Sequence, residues 1–397
     1  MVQVPSCPLC YGRRPFCIHK SYPLQGLEIQ EKVREKLRKD FYGPSYSIFV
    51  GRENYPDVFA GPMLGLEAGQ EIDSPQNWFG MEYAKIIELR SFLLRSKSLE
   101  NIRSESRFVR EMQELALASR PTEVEMNFRR TPVFELRLSE SFQPMGPSGL
   151  LEKMRVTENV KIKGGVEKII SDELKAGEQA FLLYQQGLDV YKITSVFSSG
   201  ALGMEKNKKL VPSRWSTTGT HSIIADYLIK EIKQFSSINE YRVYSSQFLD
   251  NHFEILLMPG KWEFENFEAW APGSNWAVPT QSKIIGEYEP YEGRTTYADS
   301  QAGGFYASRL GCTEGLKGIG KQSRLVVFRE VYEGYSVPVG VWQVLENVRN
   351  AFRQPYRKFN TKQEALTYLE SRLRIPIEKY KKCSKILSQK KLFDYAP

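Results

Sequence analysis

Period-two and period-3.6 stretches come in runs along this chain and never settle into a regular strand–helix–strand alternation. That ordering argues against a doubly wound parallel sheet. It points to an α+β fold with mixed, largely antiparallel sheets flanked by helices. Helical spacing predicts a helix over residues 27–40, where Leu27, Ile29, Val33 and Leu37 share a face and Gly43-Pro44 stops the run. Further helices are expected over 79–94, 105–119 and 222–235. Alternation predicts strands over 46–50, 57–64, 133–138, 242–248, 252–258 and 262–270, with a hairpin over 179–197 turning at Gln185-Gln186-Gly187-Leu188. Past a change of composition at 281–296, strands are expected at 305–310, 325–332 and 337–341, then helices at 342–352, 361–373 and 376–387.

The chain has 397 residues, 41% of them hydrophobic, enough for two or three domains. Four segments are expected: an N-terminal zinc-binding piece (1–25), an α+β domain (26–280), a basic domain (281–380) and a flexible tail (381–397). No apolar run reaches the ~18 residues of a membrane-spanning helix. The first residues lack the basic-then-apolar pattern of a signal peptide, so a cytoplasmic protein is expected.

Cys7 and Cys10 form a CxxC knuckle, and Cys17 and His19 complete a Cys3His set with turns supplied by Pro8, Gly12 and Pro15. Four ligands of this kind suit a structural, tetrahedral zinc ion with no open position. The plainer alternative is three free thiols in a flexible N-terminus. The net charge of +8 favours an anionic partner without specifying nucleic acid. Arg13, Arg14 and Lys20 beside the knuckle are candidates to meet phosphates.

The most unusual internal stretch is Lys206-Asn207-Lys208-Lys209-Leu210-Val211-Pro212-Ser213-Arg214-Trp215-Ser216-Thr217-Thr218-Gly219-Thr220-His221. Placed ahead of a helix starting at Ser222, it would bring Lys208, Lys209, Arg214, Ser216, Thr217, Thr218 and Thr220 to a helix N-terminus, a phosphate- or nucleotide-binding arrangement. The alternative is Thr220 as a simple N-cap and the lysines as a solvated loop. A hydrolase reading takes His221 and Arg214 as catalytic residues beside an acidic group such as Glu265 or Glu268. There is no Walker loop, GxSxG or HExxH. A non-catalytic DNA- or nucleotide-binding adaptor is therefore the rival class. The aromatics from Trp262 to Trp276 read as core, with base stacking the less favoured option.

Near the C-terminus, Gln389, Leu392, Phe393 and Tyr395 follow a lysine-rich run. One helical turn would set Leu392 and Tyr395 side by side as an apolar plug, with Gln389 at its rim. The pattern is similar to the peptide by which replication and repair proteins attach to the sliding clamp PCNA, although Ala396 stands where a second aromatic is usual. The alternative is a segment docked on its own domain. Taken in order, the knuckle, the run Val211-Pro212-Ser213-Arg214-Trp215-Ser216, the segment Met258-Pro259-Gly260-Lys261-Trp262-Glu263-Phe264-Glu265 and the tail resemble the archaeal Nre DNA-repair family along the whole chain. The resemblance implies a DNA-damage repair protein recruited by PCNA.

Overall fold

The computed structural model describes residues 23–67, 69, 72–136, 143–272, 274 and 282–388. The knuckle residues Cys7, Cys10, Cys17 and His19 and the tail residues Gln389, Leu392, Phe393 and Tyr395 lie outside the described residues. No helix among the described residues is long and apolar enough to cross a membrane. The chain gathers into two compact units. One runs up to Ile224 and includes Val337–Val339; the other is made of Ala225–Ser336 and the chain from Gly340 onward.

In the first unit α1 (Pro23–Lys36) leads into β1 (Asp40–Val50) and β2 (Asp57–Gly65). Then come α2 (Tyr83–Ser91), β3 (Leu93–Asn101), α3 (Arg107–Leu117), β4 (Thr122–Phe128) and β5 (Ser148–Val156). The strands close a barrel in the order β1-β2-β3-β5-β4. Only the β3–β5 pairing is parallel. This order, with a helix between the third and fourth strands, is that of the OB barrel. Its interior is filled by alternate side chains such as Ile48, Val58, Leu64, Leu94, Met126 and Phe128. β1 serves both seams. Residues 40–45 pair with β4, residues 45–50 pair with β2, and the register shifts between Ser45 and Ser47. Gly43-Pro44, expected as a helix stop, lies inside this strand.

Helices α4 (Gly164–Ser171), α5 (Ala176–Gln185) and α6 (Val190–Ser198) follow, and then α7 (Ser213–Ile232), within which the two units divide. The hairpin expected over 179–197 is instead α5 and α6. Their buried residues Ala180 and Leu183, and Val190, Ile193 and Val196, recur at helical rather than alternating spacing. The helix expected over 79–94 stops at Ser91, and its last residues begin β3. The strand expected over 133–138 is reduced, among the described residues, to one bridge between Val133 and Ser148.

The second unit contains β6 (Tyr241–Phe248), β7 (Asn251–Met258), β8 (Glu263–Trp270), β9 (Lys283–Glu289), α8 (Gly303–Ile319), β10 (Arg324–Val331) and α9 (Trp342–Arg353). β11 (Arg357–Phe359), α10 (Lys362–Arg372), α11 (Ile377–Cys383) and α12 (Lys385–Ser388) complete it. The six-stranded sheet has the order β11-β6-β7-β10-β8-β9, with only β8 and β10 parallel. β9, which follows residue 281, therefore pairs directly with β8, which precedes it. Two mixed sheets flanked by helices meet the α+β expectation. The strand expected at 305–310 is part of α8. Gly315 there lets α9 approach, since a Cβ would sit 2.4 Å from the Phe352 ring. Residues 337–341 form no strand.

One face of this sheet packs on α10–α12 through residues such as Leu256, Phe267, Phe328, Leu369 and Tyr380. Every residue of β7 and β10 is buried, charged groups included. Glu330 is held at the centre: it accepts from the Tyr332 and Tyr380 hydroxyls (2.8 and 2.9 Å) and from the Arg374 and Ile375 amides (2.8 and 2.9 Å). Burial, and then the carboxylate, push the Tyr380 phenol well above its usual range, so it stays a donor. Glu330→Ala strands those donors and should lower stability in urea unfolding by more than about 3 kcal/mol. Tyr332→Phe, which removes one donor and leaves the carboxylate satisfied by the rest, should cost only about 1 kcal/mol.

Candidate nucleic-acid interface

The segment entering α7 is fixed to the first unit by its backbone and by one hydroxyl. The Leu210 amide donates to the Ile102 carbonyl (2.7 Å) and the Val211 amide to the Ser198 carbonyl (3.0 Å). The Pro212 carbonyl accepts from the amides of Trp215 (2.8 Å) and Ser216 (3.0 Å), starting the helix. Ser213 Oγ accepts from the Val50 amide (2.9 Å) and lies 3.0 Å from Ser198 Oγ. The end of β1 is thereby tied to the first turn of α7. The residues after Ser213 then face outward: Arg214 is exposed and Trp215 is 47% exposed.

Trp215 meets Tyr55, whose ring centroid is 5.3 Å away at 52°. Tyr55 belongs to residues 51–56, the loop joining β1 to β2, and is itself 43% exposed. Arg52, on the same loop, is exposed too. Nothing in the sequence spacing links Tyr55 and Arg52 to a residue 160 positions later; the contact exists only because β1 ends against Ser213. The result is an open corner with two aromatic rings and two arginines. Such a combination suits nucleic acid, whose bases stack and whose phosphates pair.

The hydroxyl run lies within the helix rather than ahead of it. Thr217 Oγ1 and Ser216 Oγ donate to the Ser213 carbonyl (2.8 and 3.1 Å), and Thr218 Oγ1 donates to the Arg214 carbonyl (3.4 Å). Ser216, Thr220 and His221 are fully buried. His221 stands seven residues, or about 10 Å of helix rise, beyond Arg214, which the surface exposes. The structure does not bring those two together. Glu265 and Glu268 have partners in the second unit. Glu265 accepts from the Lys385 amide (2.7 Å) and from Ser384, and Glu268 pairs with Arg329 (2.7 Å). Burial raises the Glu265 carboxyl despite those bonds.

Of the lysines, Lys208 is paired with Glu205 (2.8 Å). Lys209 lines a cleft of about 240 Å³ together with Lys175, Phe197, Met204, Asn207 and Val211. Lys175, at the start of α5, is an addition that sequence reading did not supply. Two lysines at one small cleft can hold a phosphate.

The Ser213 anchor gives a direct check. Ser213→Ala leaves the Val50 amide unpaired and should cost about 1–2 kcal/mol of stability. Thr218→Ala, at a surface hydroxyl bonded only to its own helix, should stay within about 0.5 kcal/mol. Both are read by urea unfolding of the intact protein.

With this geometry in place, comparison with known proteins identifies the relatives. A family model described as "Archaeal Nre, N-terminal" matches residues 16–277, and one described as "Archaeal Nre, C-terminal" matches residues 289–395. The DNA repair protein NreA of Archaeoglobus fulgidus is 35% identical, covering 92% of this chain and 93% of its own. NreA of Haloferax volcanii is 33% identical, covering 97% and 96%. NreB of Archaeoglobus fulgidus, also a DNA repair protein, is 31% identical over 94% and 95%. No solved structure matches. On two family models that together span most of its length, the chain belongs to the archaeal Nre family.

Proposed function

We propose that this chain is a DNA-repair protein that meets DNA at the Arg52–Tyr55–Arg214–Trp215 corner and is delivered there by the sliding clamp PCNA. The observation that carries the reading is near-full-length similarity to proteins named for DNA repair. The open aromatic and basic corner supports the DNA contact. Clamp recruitment rests on the sequence of Gln389, Leu392, Phe393 and Tyr395. The cleft at Lys175 and Lys209 is the proposed phosphate- or nucleotide-binding point on the 206–221 segment. Its place of action is the cytoplasm, at the nucleoid.

Between adaptor and hydrolase, the arrangement at the corner supports the adaptor. Full burial of His221 removes the imidazole from a surface substrate, and binding needs only Arg214, Trp215 and their neighbours. Cys7, Cys10, Cys17 and His19 are proposed to hold a structural zinc ion, on the chemistry of the donor set alone.

Calorimetry against the cognate clamp tests recruitment. The intact protein should bind with micromolar affinity, about −8 kcal/mol, and a version ending at Ser388 should not bind. Equal binding by both versions, or by neither, would remove the clamp from the reading. Metal analysis of purified protein should find zinc, and Cys10→Ser should lose it; zinc-free protein with unchanged folding contradicts the knuckle.

A further inference from the structure

On the outside of the barrel, β1, β2 and β3 carry a second group of aromatic and cationic side chains. The positions that alternate with the buried ones are Phe49, Phe59, Met63, Arg95, Lys97 and Leu99. Pairing brings them onto one patch: Phe59 lies opposite Leu99, Met63 opposite Arg95, and Phe49 opposite Gly61. Gly61 keeps the middle of the patch low, because a Cβ there would come within 2.4 Å of the Ser96 carbonyl oxygen. The Arg95 guanidinium lies 5.4 Å from the Phe49 ring centre, and the Lys97 ammonium 6.0 Å from that of Phe59. Leu99, 58% exposed, and Leu150 on β5, which pairs with Lys97 and is 45% exposed, show that the patch is open.

Arg95 is poised rather than satisfied. One of its terminal nitrogens donates to the Gly146 carbonyl (3.1 Å) and the other approaches Met145 Sδ (3.6 Å), while its Nε is buried with no hydrogen-bond partner among the described residues. Burial, with Arg90 nearby, lowers it to about 10, so it stays cationic at neutral pH. Lys97 is lowered by burial and then by Arg95, with Glu53 acting in the opposite sense. The patch therefore holds partly desolvated cations, which gain more from an anion than solvated ones do.

The geometry points to this face of β1–β3 as a binding track for single-stranded DNA, with bases stacked on Phe49 and Phe59 and phosphates held by Arg95 and Lys97. Duplex bases are closed to such rings, whereas unpaired bases stack on them whatever their sequence. In OB barrels the face of the second and third strands is the one that takes oligonucleotides. The bordering loops add charge: Arg52 lies on the β1–β2 loop, and Arg129-Arg130 open the β4–β5 connection. The choice of DNA over RNA rests on the DNA-repair reading above.

Fluorescence anisotropy with the intact protein tests the track, using single-stranded DNA of about 20 nucleotides, the matching duplex and the matching RNA. Single-stranded DNA should bind tightest. Phe49→Ala and Phe59→Ala should each weaken it by about tenfold, and Lys97→Gln should reduce the salt slope by about one counterion. Phe59→Leu, which keeps apolar bulk but removes the ring, should reproduce the loss if the alanine variant folds poorly. Equal affinity for duplex, preference for RNA, no binding, or binding untouched in the ring variants would overturn the proposal. Clamp calorimetry is separate: tail-dependent clamp binding without oligonucleotide binding would sink the track and leave recruitment standing.

Discussion

β1 is the strand on which the first unit depends. Its first half belongs to one seam of the barrel and its second half to the other, and the handover occurs over Pro44, Ser45 and the irregularity before Ser47. Proline has no amide to contribute, so it is tolerated where the ladder changes partner. Closure leaves no free sheet edge. The strand then ends at Val50, whose amide is taken by Ser213, and this bond joins the backbone bonds of Leu210 and Val211 in fixing the first turn of α7. Barrel, loop 51–56 and Trp215 are thus set by one continuous eleven-residue strand.

The second unit achieves order differently. Its two central strands are covered on both faces yet carry Glu254, Arg329 and Glu330, so charges have to be matched inside. Arg329 divides its donors between Asn251 (2.7 and 2.9 Å) and Glu268 (2.7 Å), and Glu254 takes Ser245 (2.6 Å) and Arg372 (3.1 Å). A core built this way is specific, because a slipped register would strand several charges at once. The first unit instead fills its barrel mainly with apolar side chains and carries cations and rings on the outside of β1–β3.

Much of this was legible in the sequence, and the failures share a cause. β6, β7, β8 and β10 were readable because β-branched and aromatic residues alternate or cluster between turns, and α3, α9 and α10 because their apolar stripes are regular. α5, α6 and the first half of α8 were misread because their apolar residues fall in short runs, which resemble strands as readily as helices. The start of α7 was misplaced because Ser, Thr and Gly are poor helix formers; tertiary anchoring at Ser213 overrides that preference. The run around Trp215 stood out correctly as unusual. Its partner Tyr55 was invisible, as were Phe49, Phe59, Arg95 and Lys97, since pairing register alone gathers residues from three strands.

The grip of Glu265 on the opening of α12 has a mechanical consequence. With Ser384, Lys385 and Ile386 bonded to one buried carboxylate, and Lys362 Nζ donating to the Leu387 carbonyl (2.6 Å), the chain is moored to the sheet up to Ser388. From that mooring to Tyr395 the backbone can stretch no further than about 25 Å. Under the proposed clamp contact, DNA threaded through a clamp bound at Tyr395 would be kept within that reach of Ser388, at a local concentration above its bulk value.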